Sequence, residues 1–159
     1  MKLFSPSFNE GGQIPRKYTC RGENLSPQII WGDVPNRTVS MVLIMEDPDI
    51  PIPRFILPVW THWIVYNIDP DVMELPEGMQ HTDIIDKGVL QGITSFRKTG
   101  YNGPCPPFGT HRYFFRLYAL DTIISVEPCS ATRKNILYAV DGHILDSGEL
   151  MGVCSRKKP

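Results

Sequence analysis

Apolar residues along this chain gather in short runs that are rich in β-branched and aromatic side chains. Runs of this length and composition are typical of β-strands, and the glycines and prolines between them mark turns. The pattern predicts four strands, at residues 38–45, 62–68, 113–120 and 144–154. The runs HWIVYNI and YFFRLYAL are apolar on both faces, so we expect their strands to be covered on both sides.

Helical patterns are scarce. One segment predicts a helix that begins near Ser130 as N-cap, carries Ile136, Leu137 and Val140 on one face, and stops at Gly142. Residues 69–92 have room for at most one more short helix, around Gly88. Parallel strands need long crossover connections, which this chain lacks, so the sequence predicts a mainly β fold: an antiparallel β-sandwich with one or two short helices.

The length and charge of the chain restrict the classes of function that it can have. The chain has 159 residues, enough for one domain spanning 1–159 without cross-links. Sixteen basic and seventeen acidic residues leave a formal net charge of -1. Binding to nucleic acid through bulk charge is therefore disfavoured. No run approaches the ~20 apolar residues of a membrane span, and the first residues lack the apolar core of a signal peptide. We expect a cytoplasmic protein that is not integral to a membrane.

The four cysteines are Cys20, Cys105, Cys129 and Cys154. They show no C-x-x-C spacing, which argues against a zinc ribbon or a thioredoxin-like motif. Because disulfides are uncommon in the cytoplasm, we expect reduced, mostly structural thiols.

Candidate chemistry begins where the first predicted strand ends, in the stretch Asp47-Pro48-Asp49-Ile50-Pro51. Proline does not extend a central strand, so the two aspartates are expected just past the strand end on a stiff backbone. They are either site residues or an Asx-type turn that caps local N–H groups.

Two further strand ends carry histidine. Alternation along the second strand places Trp60 and His62 on one face, with Thr61 and Trp63 on the other. Later the rigid turn GPCPPFG, at 103–109, leads into His111-Arg112-Tyr113. The glycines of this turn let a ligand approach the main chain closely. Alternation points His111 and Tyr113 one way and Arg112 the other.

Three polar strand ends are expected to form one site on rigid elements. Histidine, tyrosine and backbone N–H groups suit an oxyanion such as phosphate, and the aspartates can orient an imidazolium. The sequence contains no P-loop, no G-x-S-x-G and no H-E-x-x-H. Asp47, Asp49, His62 and His111 are potential metal ligands without a recognised spacing, so we expect neither a metal nor a cofactor.

Taken together, DPDIP, W-x-H and the glycine- and proline-rich turn into HRY resemble the phosphatidylethanolamine-binding protein family, also called the Raf kinase inhibitor protein family. The bacterial and archaeal branch is the more similar one, because LSP before Trp31, KTGY at 98–101 and GPCPP at 103–107 match it as well. The likeness extends from Phe4 to Ser155.

The resemblance implies a β-sandwich with a small pocket that accepts phosphate or a phosphorylated head group such as phosphoethanolamine. His62, His111 and Tyr113 would meet the anion, with Asp47 as an orienting carboxylate. The positions that match the family's ligand-binding motifs are Asp47, Asp49, Pro51, Trp60, His62, Pro106, Gly109, His111 and Tyr113.

We therefore expect a binding protein without catalytic activity, acting as a regulator or inhibitor of kinases or proteases as family members do. The alternative is a hydrolase or another enzyme that uses the same aspartate and histidines for acid-base chemistry. The sequence offers no committed nucleophile for it.

Residues 50–59, IPIPRFILPV, are unusually apolar for a loop. They either fold back over the core or form a contact surface, for which a homodimer is the simplest occupant.

Overall fold

Two antiparallel sheets form the molecule. The computed structural model describes residues 1–85 and 88–156. The small sheet has the order β1-β2-β5 and contains β1 (Lys2–Phe4), β2 (Ile29–Gly32) and β5 (Glu74–Leu75). The large sheet has the order β6-β4-β3-β7-β8 and contains β3 (Ser40–Asp47), β4 (Trp60–Ile68), β6 (Leu90–Gln91), β7 (Gly109–Leu120) and β8 (Ile144–Arg156). The predicted antiparallel β-sandwich is confirmed, and all four predicted strands belong to the large sheet.

The large sheet is buried on both faces, as its apolar runs predict. Along β3, Met41, Leu43 and Met45 pack into the core beneath the small sheet. Between them, Val42 and Ile44 pack on the opposite face, under the helix and its neighbouring segments. Each fully buried side chain of this size stabilises the fold by ~1.5–3 kcal/mol, so both layers contribute to holding the central strands in place.

The helix α1 (Arg133–Val140) covers that second face with Ile136 and Val140. Its N-cap is Thr132, whose hydroxyl accepts a hydrogen bond from the backbone N–H of Asn135. The prediction of Ser130 as N-cap was wrong by two residues, because Ser130 ends a separate 3-10 turn that begins at Pro128. Pro128 has the φ angle that such a turn needs and no N–H to donate.

Two glycines lie at positions that matter for the predicted helices. Gly142 follows the C-cap with φ of 76°, the left-handed conformation expected after a helix. Gly88 lies in a turn, and positions 86–87 of the second candidate helix lie outside the described residues. Among the helices that the structure describes, none is long and apolar enough to cross a bilayer.

A buried ion cluster ties the helix to the large sheet. The carboxylate of Glu46 is almost fully buried at the end of β3 and accepts hydrogen bonds from Arg116 and Arg133. Arg116 also pairs with Glu149 on β8. Because a buried carboxylate without its partners is strongly destabilising, Glu46 keeps the first residue of α1 against the sheet.

A β-bulge corrects the predicted facing of β4. Met45 pairs with Trp63 and Glu46 pairs with Thr61, so His62 is an extra residue in the strand. Trp63 consequently packs in the core between the sheets, whereas the side chain of Thr61 lies on the opposite face, in the cavity beside α1. The expectation that Thr61 and Trp63 share a face was wrong, because simple alternation assumes a regular ladder.

The expectation of four reduced cysteines was also wrong. A disulfide joins Cys20 to Cys105 across a sequence separation of 85 residues. Cys129 is free and exposed, and Cys154 is free and buried. The two bonded residues have no spacing in sequence that indicates pairing, because the fold alone brings the N-terminal segment to the turn before β7. The disulfide fixes that turn to the segment that follows the 3-10 turn Arg16–Tyr18.

We predict that thiol titration of the denatured, unreduced protein finds two free thiols, and four after reduction. The double variant Cys20→Ser, Cys105→Ser should lose about 2–4 kcal/mol of unfolding free energy, because the unfolded chain regains the freedom of a long loop. Cys129→Ser, which removes an exposed free thiol, is the matched control and should leave stability unchanged. Four titratable thiols before reduction would contradict the assignment.

Candidate ligand-binding site

A pocket of about 240 Å³ lies where β3, β4 and β7 meet the 50–59 loop and the turn before β7. Its walls bring together most of the predicted site. The lining residues are Asp47, Ile50, Pro51, Ile52, Trp60, His62, Phe96, Cys105, Pro107, His111 and Tyr113.

Asp47 is the fixed acceptor of this pocket. It is buried, and its Oδ2 accepts a hydrogen bond from Nδ1 of His111 at 2.7 Å. Its Oδ1 accepts from the backbone N–H of Asp49 at 2.8 Å, which closes an Asx turn. The expected Asx turn is confirmed, and the second oxygen of Asp47 orients His111 in the pocket.

His111 has only one ring nitrogen left for a ligand. Its Nδ1–H donates to Asp47, so the ring orientation and the position of that proton are set inside the protein. Nε2 forms no hydrogen bond with the residues that the structure describes. A buried carboxylate behind an imidazole is the arrangement that holds a histidine ready to meet an anion on its other side.

His62 is held in its neutral form. Its Nδ1–H donates to the backbone carbonyl of Asn102 at 2.6 Å, deep in the protein. Burial lowers the pKa of His62 to about 4, against the smaller opposing effects of the Asn102 carbonyl and the Asp47 charge. The ring is therefore neutral at pH 7. Its Nε2 then carries a lone pair, so His62 accepts a hydrogen bond where the sequence suggested a second donor.

Tyr113 supplies a donor that forms no well-aligned hydrogen bond within the described part of the protein. The residue is fully buried, and its hydroxyl lies near the Asp47 carboxylate and the backbone of Cys105 without meeting the geometry of a hydrogen bond to either. Burial, aided by the charge of Asp47, raises the pKa of this hydroxyl well above its usual value, so it stays protonated. Buried polar groups are normally paired, and an unpaired one facing a pocket indicates a missing partner.

Three predicted residues do not line the pocket. Asp49 accepts from the backbone N–H and the guanidinium of Arg112, at 2.8–2.9 Å. These hydrogen bonds lower the pKa of Asp49, and they anchor the start of the 50–59 loop to β7. Pro106 is buried behind the wall, and Gly109, with φ of 71°, opens the β7 strand.

A close backbone contact explains why position 103 is a glycine. A Cβ at Gly103 would lie 2.1 Å from the carbonyl oxygen of Tyr18, so the close approach is to the protein's own backbone and not to a ligand. Its N–H donates to the side chain of Asn24 at 2.8 Å. With the disulfide, these contacts hold the turn before β7 rigidly in the pocket wall.

Sequence reasoning missed the apolar half of the site. Phe96 packs edge-on against Trp60 and His62, with ring centroids 5.4 and 5.3 Å apart. It sits alone in the polar turn Ser95-Phe96-Arg97-Lys98, where no periodic pattern marks it. The other missed lining residues are Ile50, Ile52, Cys105 and Pro107.

The described residues contain no group of three or more His, Cys, Asp or Glu side chains placed to hold a metal ion. The expectation that the protein needs no metal remains a prediction that elemental analysis would test.

The fold and this pocket agree with the comparisons with known proteins. The model of the phosphatidylethanolamine-binding protein family matches residues 4–155. The chain belongs to the phosphatidylethanolamine-binding protein family. The match spans nearly every element of both sheets and includes the residues that line the pocket.

Two relatives, one archaeal and one bacterial, match this chain over nearly their whole length. A UPF0098 protein of Methanothermobacter thermautotrophicus is 45% identical over 156 residues, covering 98% of this chain and 99% of that protein. A UPF0098 protein of Chlamydia trachomatis is 44% identical, covering 96% of this chain and 97% of that protein. The expected bacterial and archaeal branch of the family is confirmed.

Solved structures share the fold along the full chain. A phosphatidylethanolamine-binding protein homolog from Chlamydia trachomatis has a TM-score of 0.85 at 42% identity, covering 99% of this chain and 97% of that one. E. coli YbcL, described as a new member of the mammalian family, has a TM-score of 0.88 at 29% identity and 98% coverage of both chains.

We predict that acid destabilises the protein partly through His62. The unfolded imidazole takes up a proton near pH 6.5, whereas the folded one does so only near 4. The stabilising difference is complete above pH 6.5 and is lost as the pH falls toward 4, by about 3 kcal/mol. In urea unfolding between pH 7 and 4, His62→Gln should therefore show a shallower loss of stability than the wild type.

His143→Gln is the control for that experiment, because it removes an exposed imidazole and should keep the wild-type slope. Equal slopes for the wild type and His62→Gln would show that the buried ring does not resist protonation.

Proposed function

We propose that this protein binds a small phosphate-bearing anion in the pocket and performs no chemistry on it. The observation that carries this proposal is the fully buried Tyr113 hydroxyl, which lies beside Asp47 in the pocket and makes no well-aligned hydrogen bond with the described residues. An oxyanion between Tyr113 and Nε2 of His111 supplies the missing acceptor. Because Asp47 occupies Nδ1 of His111, Nε2 is the ring atom that faces the ligand and donates a hydrogen bond to the oxyanion.

His62 adds a requirement for a proton on the ligand. Its neutral Nε2 accepts, so it repels an unprotonated oxygen and pairs with a P–OH group. Inorganic phosphate near neutral pH retains such a proton, and a phosphate monoester does so below its second pKa of about 6. Sulfate has none at these pH values. The set of one acceptor and two donors therefore favours a protonated phosphate group over sulfate.

The size of the pocket favours a head group over a larger ligand. At about 240 Å³ it is smaller than the ~300–1,000 Å³ typical of pockets that enclose drug-sized molecules. Phosphate or phosphoethanolamine is the size of ligand that we infer. The apolar side chains Ile50, Ile52 and Phe96 at the same pocket suit the carbon atoms attached to the phosphate.

The competing function is acid-base catalysis, favoured by the buried Asp47–His111 pair, which resembles the orienting pair of many hydrolases. A hydrolase that works through a covalent intermediate also needs a nucleophile. Cys105, the cysteine in the pocket wall, is bonded to Cys20, and the raised pKa of Tyr113 keeps its hydroxyl un-ionised. These observations support binding over covalent catalysis.

We further propose that the 50–59 loop serves as a contact surface for a protein partner, in line with a regulatory role toward a kinase or a protease. The loop adjoins the pocket, and at its tip Phe55 is 89% exposed and Ile56 is 65% exposed. Side chains of this size rarely remain in water together without a function. Because Ile50 and Ile52 line the pocket, ligand binding and partner binding at this loop are coupled.

We predict that Tyr113→Phe binds inorganic phosphate at least about tenfold more weakly than the wild type, because it lacks one hydrogen bond to a charged ligand. The variant should be close to the wild type in stability, since the lost hydroxyl makes no well-aligned hydrogen bond with the described residues of the free protein. NMR or calorimetric titration measures the affinity. Tyr138→Phe, at a tyrosine that is 86% exposed, is the control.

The same titration separates the roles of the histidines. His111→Asn should abolish measurable phosphate binding, whereas His143→Asn should not, although His143 also donates from Nδ1 to a carboxylate, that of Asp121. Sulfate should bind more weakly than phosphate to the wild type, and phosphate affinity should fall as the pH rises past roughly 7. Unchanged affinity in both Tyr113→Phe and His111→Asn would refute the site.

We predict that the wild type sediments as a homodimer and that the double variant Phe55→Asp, Ile56→Ser sediments as a monomer. Charged and polar groups at the loop tip would face the same loop of the second copy, where the apolar contact is lost. Ile123→Ser, at an equally exposed apolar residue on another surface, should leave the dimer intact. A monomeric wild type rules out the dimer and leaves a different protein as the partner of the loop.

A further inference from the structure

A second depression lies on the other side of the 50–59 loop. Its volume is about 720 Å³, three times that of the pocket around Asp47, His111 and Tyr113, which we call the phosphate pocket. This volume falls within the range of pockets that hold drug-sized molecules. We call it the basic groove. Its half-buried apolar floor is formed by Leu57, Val59, Trp60, Ile93 and Leu137. Trp60 is shared, since it lines the phosphate pocket as well.

The charges around this floor are all of one sign. Arg97, Arg133 and Lys134 line the groove, and no aspartate or glutamate is among its lining residues. Arg133 is already paired with the buried Glu46. Arg97 and Lys134 are exposed and form no ion pair within the described residues. Two cations thus stand unneutralised over an apolar surface, in a protein whose formal net charge is -1.

A backbone turn, and not an ion pair, sets the position of Arg97. Its φ of 59° is uncommon for a residue with a side chain. Two hydrogen bonds close the turn that imposes it, from the N–H of Arg97 to the carbonyl of Thr94 and from the N–H of Thr94 to the carbonyl of Lys98, both 2.9 Å. The turn keeps Phe96 in the phosphate pocket and Arg97 at the basic groove, so one short segment contributes to both cavities.

We propose that the basic groove is a second binding site, for an amphipathic anion: a carboxylate attached to an extended apolar chain. The chain would lie along the floor between Leu57 and Leu137, and the carboxylate would meet Arg97 and Lys134. Nucleic acid does not fit the apolar floor, and a bare phosphate would leave that floor in water. None of the cations of this site lines the phosphate pocket, although the two cavities share Trp60.

Titration with decanoate, kept below its micelle concentration, tests the proposal by calorimetry and by the fluorescence of the protein's tryptophans. We expect saturable binding at one site per chain and no binding of decyltrimethylammonium, which has the same chain with a cationic head. The double variant Arg97→Glu, Lys134→Glu should bind decanoate about tenfold more weakly or worse, because attraction becomes repulsion. Arg37→Glu reverses an exposed charge outside the groove and should match the wild type.

Tyr113→Phe should retain decanoate binding, which separates this site from the phosphate pocket. The proposal is overturned if decanoate does not saturate, if the cationic amphiphile binds equally well, or if the double variant keeps wild-type affinity. Loss of decanoate in Tyr113→Phe would assign the ligand to the phosphate pocket instead. Release of a wild-type dimer into monomers by the double variant would show that a second copy of the chain occupies the groove.

Discussion

The hydrogen bond between the buried carboxylate of Asp47 and Nδ1 of His111 is the interaction on which the pocket depends. It joins the end of β3 to the start of β7 and leaves a single nitrogen of His111 for a ligand. The other oxygen of Asp47 closes the turn that leads into the 50–59 loop. One carboxylate therefore sets both the orientation of His111 and the turn from which the loop starts.

The other walls of the pocket are held in place by contacts within the protein. The Cys20–Cys105 disulfide and the approach of Gly103 to the Tyr18 carbonyl fix the turn before β7. The β-bulge at His62 sends its ring toward Tyr113 and the carbonyl of Asn102. Rigid walls lower the ordering cost of binding, so a pocket of this kind needs few polar groups to hold a small ligand.

Two cavities of different chemistry share one loop and one tryptophan. The pocket around Asp47 and His111 combines buried polar groups with a small volume, whereas the basic groove combines exposed cations with a broad apolar floor. Trp60 lines both cavities, and residues at the two ends of the 50–59 loop line different cavities. A shift of this loop, whose apolar tip faces solvent, would change the shape of both cavities.

The sequence by itself determined the antiparallel sandwich, the four main strands and most of the pocket, because strand periodicity and proline placement are local properties of the chain. Asp47, His62, His111 and Tyr113 were all identified from their positions at strand ends, and the structure brings them together. Only the tertiary structure decided the disulfide, the neutral state of His62, the pairing of Asp49 with Arg112 and the contribution of Phe96. Each of these depends on burial or on contacts between segments distant in sequence. Burial and long-range contacts leave no signature in the local pattern of residues.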